Sequence, residues 1–315
     1  MRVGLIDVDG HSFPNLALMR ISAWHKANGD EVEWWWTDMI HYDIVYKSKV
    51  FSDAYSKDVP DPMNCDRIIK GGTGYAIRLE NGKEVFDEAM NTSLPEEIEH
   101  MFPDYSIYPQ YDFAVSMTSR GCPRGCRWCI VGAKEGRCSH KVADVKDFWN
   151  GQKLIEVMDP NILACDEKRD LLRQYRETGA KINYNQGLDI RFMDDEDIDD
   201  INRTRIERLH FAWDNPKEDL EDRFRHFAKR CRWKHKGMVY TLTNYNSTME
   251  ENLHRIYVLR DLGYDPYVMI YDKPNASKEL IDLQRWCNNK FVFGKCRTFD
   301  EYSTEIRYKK AVKWK

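Results

Sequence analysis

The chain of 315 residues has no uninterrupted apolar run near the roughly 18 residues that a membrane-spanning helix requires. Met1 to Gly10 carries charge and no long apolar stretch, so no signal peptide is expected and the protein reads as cytoplasmic, with no membrane partner. Neither charge is in surplus: 48 Lys and Arg stand against 52 Asp and Glu, which speaks against a protein built around nucleic-acid backbones. No internal repeat or low-complexity segment occurs. Nine cysteines is an odd number in a chain without signs of secretion, so a disulfide framework is not expected. What is present suffices for a packed core, with 42% hydrophobic residues, 17 tyrosines and 10 tryptophans. The length suits one large domain or two unequal ones.

Three of the cysteines are concentrated in Ser119-Arg120-Gly121-Cys122-Pro123-Arg124-Gly125-Cys126-Arg127-Trp128-Cys129. Gly121, Pro123 and Gly125 interrupt this run too often for a helix or strand interior, so it is a loop that offers ligands. Three thiolates at C-x3-C-x2-C spacing can converge on one inorganic centre and leave one iron of a four-iron cluster without a protein ligand. Zinc is the other reading, with Cys138 or His140 as fourth donor, although structural zinc sites pair two short ligand units. A ferredoxin-like carrier wants a fourth nearby cysteine, and none follows.

The spacing Cys122, Cys126, Cys129, with Trp128 before the last cysteine, resembles the signature of the radical S-adenosylmethionine (radical SAM) superfamily. That resemblance implies a 4Fe-4S cluster on Cys122, Cys126 and Cys129 whose open iron chelates SAM, with Trp128 against the adenine. It implies reductive cleavage of SAM to a 5′-deoxyadenosyl radical that abstracts hydrogen from a substrate. It also implies oxygen sensitivity, a partial (β/α)6 barrel, and a reductant partner such as flavodoxin or ferredoxin. A non-catalytic metal-binding or electron-transfer module, or an RNA-modifying enzyme of the same kind, are the alternatives.

Before the loop, Val3–Asp7, Glu31–Trp36, Asp43–Tyr46 and Arg67–Lys70 read as strands, with an amphipathic helix from Pro14 to the stop at Gly29. The alternation predicts a Rossmann-like parallel sheet whose ligand edge lies at the carboxyl ends of its strands. Three loops on that edge, Asp9 to Pro14, Ser48-Lys49-Val50 and Gly71-Gly72, resemble the D-x-H-x-x-G, S-x-L and G-G elements of cobalamin-binding domains. Pro14 replaces a glycine of that pattern and Val50 a leucine. The resemblance implies His11 as a cobalt ligand, oriented by Asp9, and Ser48, Gly71 and Gly72 around the nucleotide tail. The alternative is a domain of the same fold without cobalamin. Trp34-Trp35-Trp36 reads as a buried strand with an exposed edge.

Pro95, Pro103 and Pro109 mark a connection, so domains are expected at 1–110, 111–300 and 301–315. The second repeats a strand and helix rhythm: Phe113–Met117, Leu154–Met158, Lys181–Asn185, Arg208–Trp213, Met238–Thr243 and Tyr267–Tyr271, separated by helices at Asp166–Thr178, Lys217–Cys231 and Thr248–Leu262. Ser247-x-x-Glu250 reads as a capping box. The strand ends are polar: Asp159 and Asn161; Asn183, Asn185, Gln186 and Asp189; Asp214-Asn215; Thr243-Asn244; Asp272-Lys273. Polar groups gathered at one end suggest a ligand pocket. By the resemblance, Asp159 and Asn161 stand where the amino group of SAM is met, and Arg191 where a basic residue faces its carboxylate. Arg191 equally suits a pair with a neighbouring carboxylate. The acidic run Asp194 to Asp200 opens a helix rather than binding a metal. Cys138, Cys165, Cys231, Cys287 and Cys296 are expected as buried thiols. The tail from Arg307 to Lys315 mixes basic and aromatic residues, which suits a nucleic acid or a solvated end.

Overall fold

A computed structural model describes residues 1–80 and 83–302. The basic tail, Arg307 to Lys315 included, lies outside the described residues. The chain forms two compact units that divide between Ile155 and Glu156, whereas the sequence places its boundary near residue 110. Among the described residues no helix is long and apolar enough to cross a membrane.

The first unit is built on a parallel sheet of β1 (Arg2–Asp7), β2 (Glu31–Trp34), β3 (Ile44–Ser48) and β4 (Ile68–Gly71), in the order β2-β1-β3-β4. Helix α1 (Leu16–Ala27) begins at Asn15, whose side chain accepts from the Leu18 N–H and so satisfies an amide that the first turn leaves open. Val3, Leu5 and Ile44 of the sheet pack with Leu18 and Ile21 of α1 and Ile98 of α2 (Glu96–Glu99) in one apolar cluster. A hairpin follows β4, with β5 (Ile77–Glu80) antiparallel to β6 (Lys83–Phe86). The strand expected to run to Trp36 ends at Trp34, and Trp36 is 81% exposed. Beyond β7 (Ala114–Ser116), β8 (Ser119–Arg120) pairs antiparallel with β9 (His140–Lys141), and α3 (Val131–Lys134) lies in the loop they close.

A second sheet has the order β14-β13-β12-β11-β10-β7, with β10 (Leu154–Val157), β11 (Lys181–Tyr184), β12 (Arg205–Ala212), β13 (Gly237–Thr243) and β14 (Asp265–Ile270). From β11 to β14 it is parallel. Helices α4 (Lys168–Glu177), α5 (Asp195–Arg203), α6 (Glu221–Arg230), α7 (Met249–Asp261) and α8 (Lys278–Asn288) alternate with these strands. Alternate residues of a strand point to opposite faces. Phe211 of β12 therefore meets Phe224 and Phe227 of α6, and Val268 of β14 joins Ile256 of α7 and Leu283 and Trp286 of α8.

Two sequence expectations about helix starts are resolved here. The acidic run opens α5: Asp194 caps it, accepting from the N–H groups of Glu196 and Asp197 at 3.0 Å, and Arg169 bonds the same carboxylate. The capping box of α7 is Thr248 with Glu251, one residue later than expected. Thr248 has the extended backbone a cap requires, and either serine or threonine satisfied the sequence pattern.

Candidate functional site

The cysteine loop spans the gap between β8 and β9 and is folded back on itself. Gly121 has φ of 81°, and a Cβ there would lie 2.1 Å from the Cys138 carbonyl oxygen, so only glycine lets the two ends of the loop cross this closely. The Cys122 N–H donates to the Gly136 carbonyl at 3.1 Å, and the Cys129 N–H donates to the Cys126 carbonyl at 3.1 Å. Glu135 accepts from the Gly121 N–H at 3.3 Å and lies 3.7 Å from Arg120, which is also bonded to Glu99 at 2.7 Å. Cys122, Cys126 and Trp128 are half-buried and Cys129 is exposed, so the thiols are reachable from outside. None of the nine cysteines is in a disulfide.

Among the described residues the one group of three Cys, His, Asp or Glu ligands close enough to share an ion is His41, Asp43 and Asp66, away from this loop in sequence. Cys138 is exposed rather than buried as expected: it lies in the bend between α3 and β9. Its thiol points at the Ser139 carbonyl, 3.7 Å away, and His140 Nδ1 donates to the Cys138 carbonyl at 3.2 Å. Cys165, Cys231, Cys287 and Cys296 are buried as expected. Burial raises the Cys231 pKa to about 11 and that of Cys287 to about 12, which suits packing thiols and not ligands.

At the carboxyl edge of the four-stranded sheet, the loops that carry His11, Ser48, Gly71 and Gly72 are tied to neighbouring backbone and side chains. The Lys49 N–H donates to Gly71 and the Gly74 N–H donates to Lys49, at 3.0 and 2.9 Å. A Cβ on Gly72, whose φ is 100°, would lie 2.3 Å from the Lys49 carbonyl oxygen. Ser48 is buried, and its hydroxyl accepts from Asn15 Nδ2 at 2.9 Å. The expectation that Asp9 orients His11 is also corrected: Asp9 accepts from the N–H groups of Val50 and Phe51 at 2.5 and 3.2 Å. The His11 ring packs edge-on against Trp34 at 4.3 Å, and its carbonyl accepts from Tyr111 Oη at 2.6 Å. Beneath it Tyr108 Oη donates to Asp7 at 2.7 Å. Burial raises the Asp7 pKa to about 6 against the opposing pull of Tyr108.

In the second unit some of the polar strand-end residues meet. Asp159 and Asn161 are 2% and 3% exposed, and Asn161 Nδ2 donates to Asp189 at 3.4 Å. Arg191 takes the alternative the sequence left open: it bonds Glu218 at 2.7 Å and Asp189 at 2.9 Å, so its charge is shared between two carboxylates. Next to this group Arg255, 1% exposed, donates to the carbonyls of Trp213, Asp214 and Leu242 and ties the ends of β12 and β13 together.

The face of this sheet turned away from the helices was not singled out from the sequence. A register shift between Ile182 and Asn183 pairs Asn183 with Arg208 instead of Glu207, which brings Arg208 and His210 onto the Asn183 face. The register then adds Met238, Tyr240, Asp265 and Tyr267. Glu156 joins them, accepting from Asn183 Nδ2 at 2.7 Å, and burial raises its pKa. His210 stacks on Tyr240 with centroids 5.7 Å apart and planes 13° from parallel. The signal was legible: parallel strands covered on both faces read as continuous apolar runs, and these strands alternate.

No family model matches the chain, and a comparison with curated proteins finds no match either.

Proposed function

We propose that this chain is a radical SAM enzyme, and the observation that carries the reading is the Cys122, Cys126, Cys129 loop, reachable and closed on itself. On this reading Cys122, Cys126 and Cys129 hold a 4Fe-4S cluster. When bound, that group supplies an open iron for SAM and the electron that cleaves it to a 5′-deoxyadenosyl radical, for which flavodoxin or ferredoxin is a fitting reductant. The chain's own residues prepare the place. Gly121 and the Cys122 to Gly136 hydrogen bond fix where the first thiolate stands, and Trp128 offers a flat surface beside the third. Asp159 and Asn161, just past the end of β10, are the groups for the amino end of SAM, and Arg191 acts on Asn161 through Asp189, which accepts from Asn161 Nδ2.

Two features of topology support the architecture that goes with this reading. In the six-stranded sheet each strand from β10 to β14 lies beside the next in the chain, as winding of (β/α) units into a partial barrel requires. The parallel order β2-β1-β3-β4, with α1 joining β1 to β2, is compatible with a Rossmann-like sheet. The test is iron content and the visible spectrum after anaerobic reconstitution of the wild type and of Cys122→Ala, Cys126→Ala and Cys129→Ala. The expected result is iron lost in each variant and retained in Cys138→Ala and Cys231→Ala. A four-iron spectrum surviving in all three variants would sink the assignment.

A further inference from the structure

We propose that the face of β10 to β14 turned away from the helices binds a planar, uncharged nitrogen heterocycle that presents N–H donors, of the nucleobase kind. Three properties of the face select this class. The first is unmet hydrogen-bond demand of one sign. Asn183 gives its amide N–H to Glu156, while its Oδ1 is buried and without a partner. His210, 5% exposed, has Nδ1 3.0 Å from the Tyr184 carbonyl, so that nitrogen carries the proton and Nε2 presents a lone pair. No residue among those described takes the Nε2 lone pair, and burial lowers the His210 pKa, which keeps the ring neutral and accepting. The buried, unpaired Asn183 oxygen and the lone pair of His210 on the adjacent strand favour a ligand with donors, since a buried polar atom left unpaired costs free energy.

The second property is a flat, polarizable wall. Tyr240 lies nearly parallel to His210 and meets Tyr267 edge-on with centroids 5.7 Å apart, and Met238 stands level with His210 in the register. Rings and thioethers favour a stacked ring over an open-chain ligand. The third is the lack of surplus positive charge. Arg208 lies 3.8 Å from Asp265, which also pairs with Lys290, and Glu156 adds an acid beside Asn183, so two acids stand against two cations and no surplus is left for a phosphate. The class is thus a base or nucleoside rather than a nucleotide.

This deepens the proposed function by naming a substrate class for the same sheet, but its test needs neither cluster nor turnover. The full chain, labelled with ¹⁵N-histidine and without iron, is titrated with adenosine and guanosine while the His210 Nε2 resonance, assigned by its loss in His210→Gln, is followed. A nucleoside is expected to move that resonance to saturation, and Asn183→Leu or Asn183→Ala to weaken the response tenfold or more. Ribose and inorganic phosphate are expected to leave it in place. No response to either nucleoside, an equal response to ribose, or an unchanged affinity in both Asn183 variants overturns the proposal. So does displacement of the nucleoside by SAM, which would make the face an adenine site for SAM itself. Failure of the radical SAM reading would appear separately, as iron that does not bind, with nucleoside binding intact.

Discussion

Asp214 is largely buried at the carboxyl end of β12, and burial raises its pKa to about 6 although the Leu242 N–H, Arg255 and Arg191 all favour its charged form. A carboxyl group whose folded pKa lies above its unfolded value stabilises the fold most below the unfolded pKa and loses that contribution as pH rises through about 6. Asp214→Asn cannot ionise. Relative to the wild type it should gain stability between about pH 4 and pH 6, levelling off at about 3 kcal/mol, read from urea midpoints across that range. A difference independent of pH would contradict the burial argument. The three cysteines were legible at this scale because their spacing is local. The partners of Arg191 were not, because Glu218 is 27 residues away and only the fold brings it within 2.7 Å.

Among the elements, the strands of the two parallel sheets and the helices α1, α4, α6 and α7 were read with ends within a few residues, because apolar period and glycine stops are written locally, whereas α8 and the two short hairpins were not read. What escaped depends on pairing. The bulge that turns His210 toward Asn183 is a property of two strands, and no single stretch announces it. The choice of cap for α7 was likewise decided by backbone geometry. Thr248→Ala should cost about 1 kcal/mol, and Ser247→Ala much less, in thermal or denaturant unfolding. Equal costs would mean the box is misplaced. At the glycine loop, Gly72→Ala must move the Lys49 carbonyl, so it should destabilise by about 3 kcal/mol. Gly10→Ala, with φ of 83° and nothing within 4 Å of the added carbon, should cost only about 1 kcal/mol of backbone strain.

For the whole molecule, the expectation of a parallel first sheet placed three loops at its carboxyl edge, and the structure shows how they are held. Its loops bond to one another through Lys49, Asp9 and Tyr111, so incubation with hydroxocobalamin followed by desalting should leave the protein colourless. Retained colour that is lost in His11→Ala would restore the cofactor. The sequence could not show this, since loops that leave a cleft and loops that fill it can share the same short motifs. The central claim rests instead on the cysteine loop, and one measurement bears on it most directly: 5′-deoxyadenosine formed from SAM by the anaerobically reconstituted protein with a strong reductant. The account predicts about four irons per chain and 5′-deoxyadenosine in the wild type, with neither in Cys126→Ala. A fully iron-loaded wild type that leaves SAM intact would contradict it.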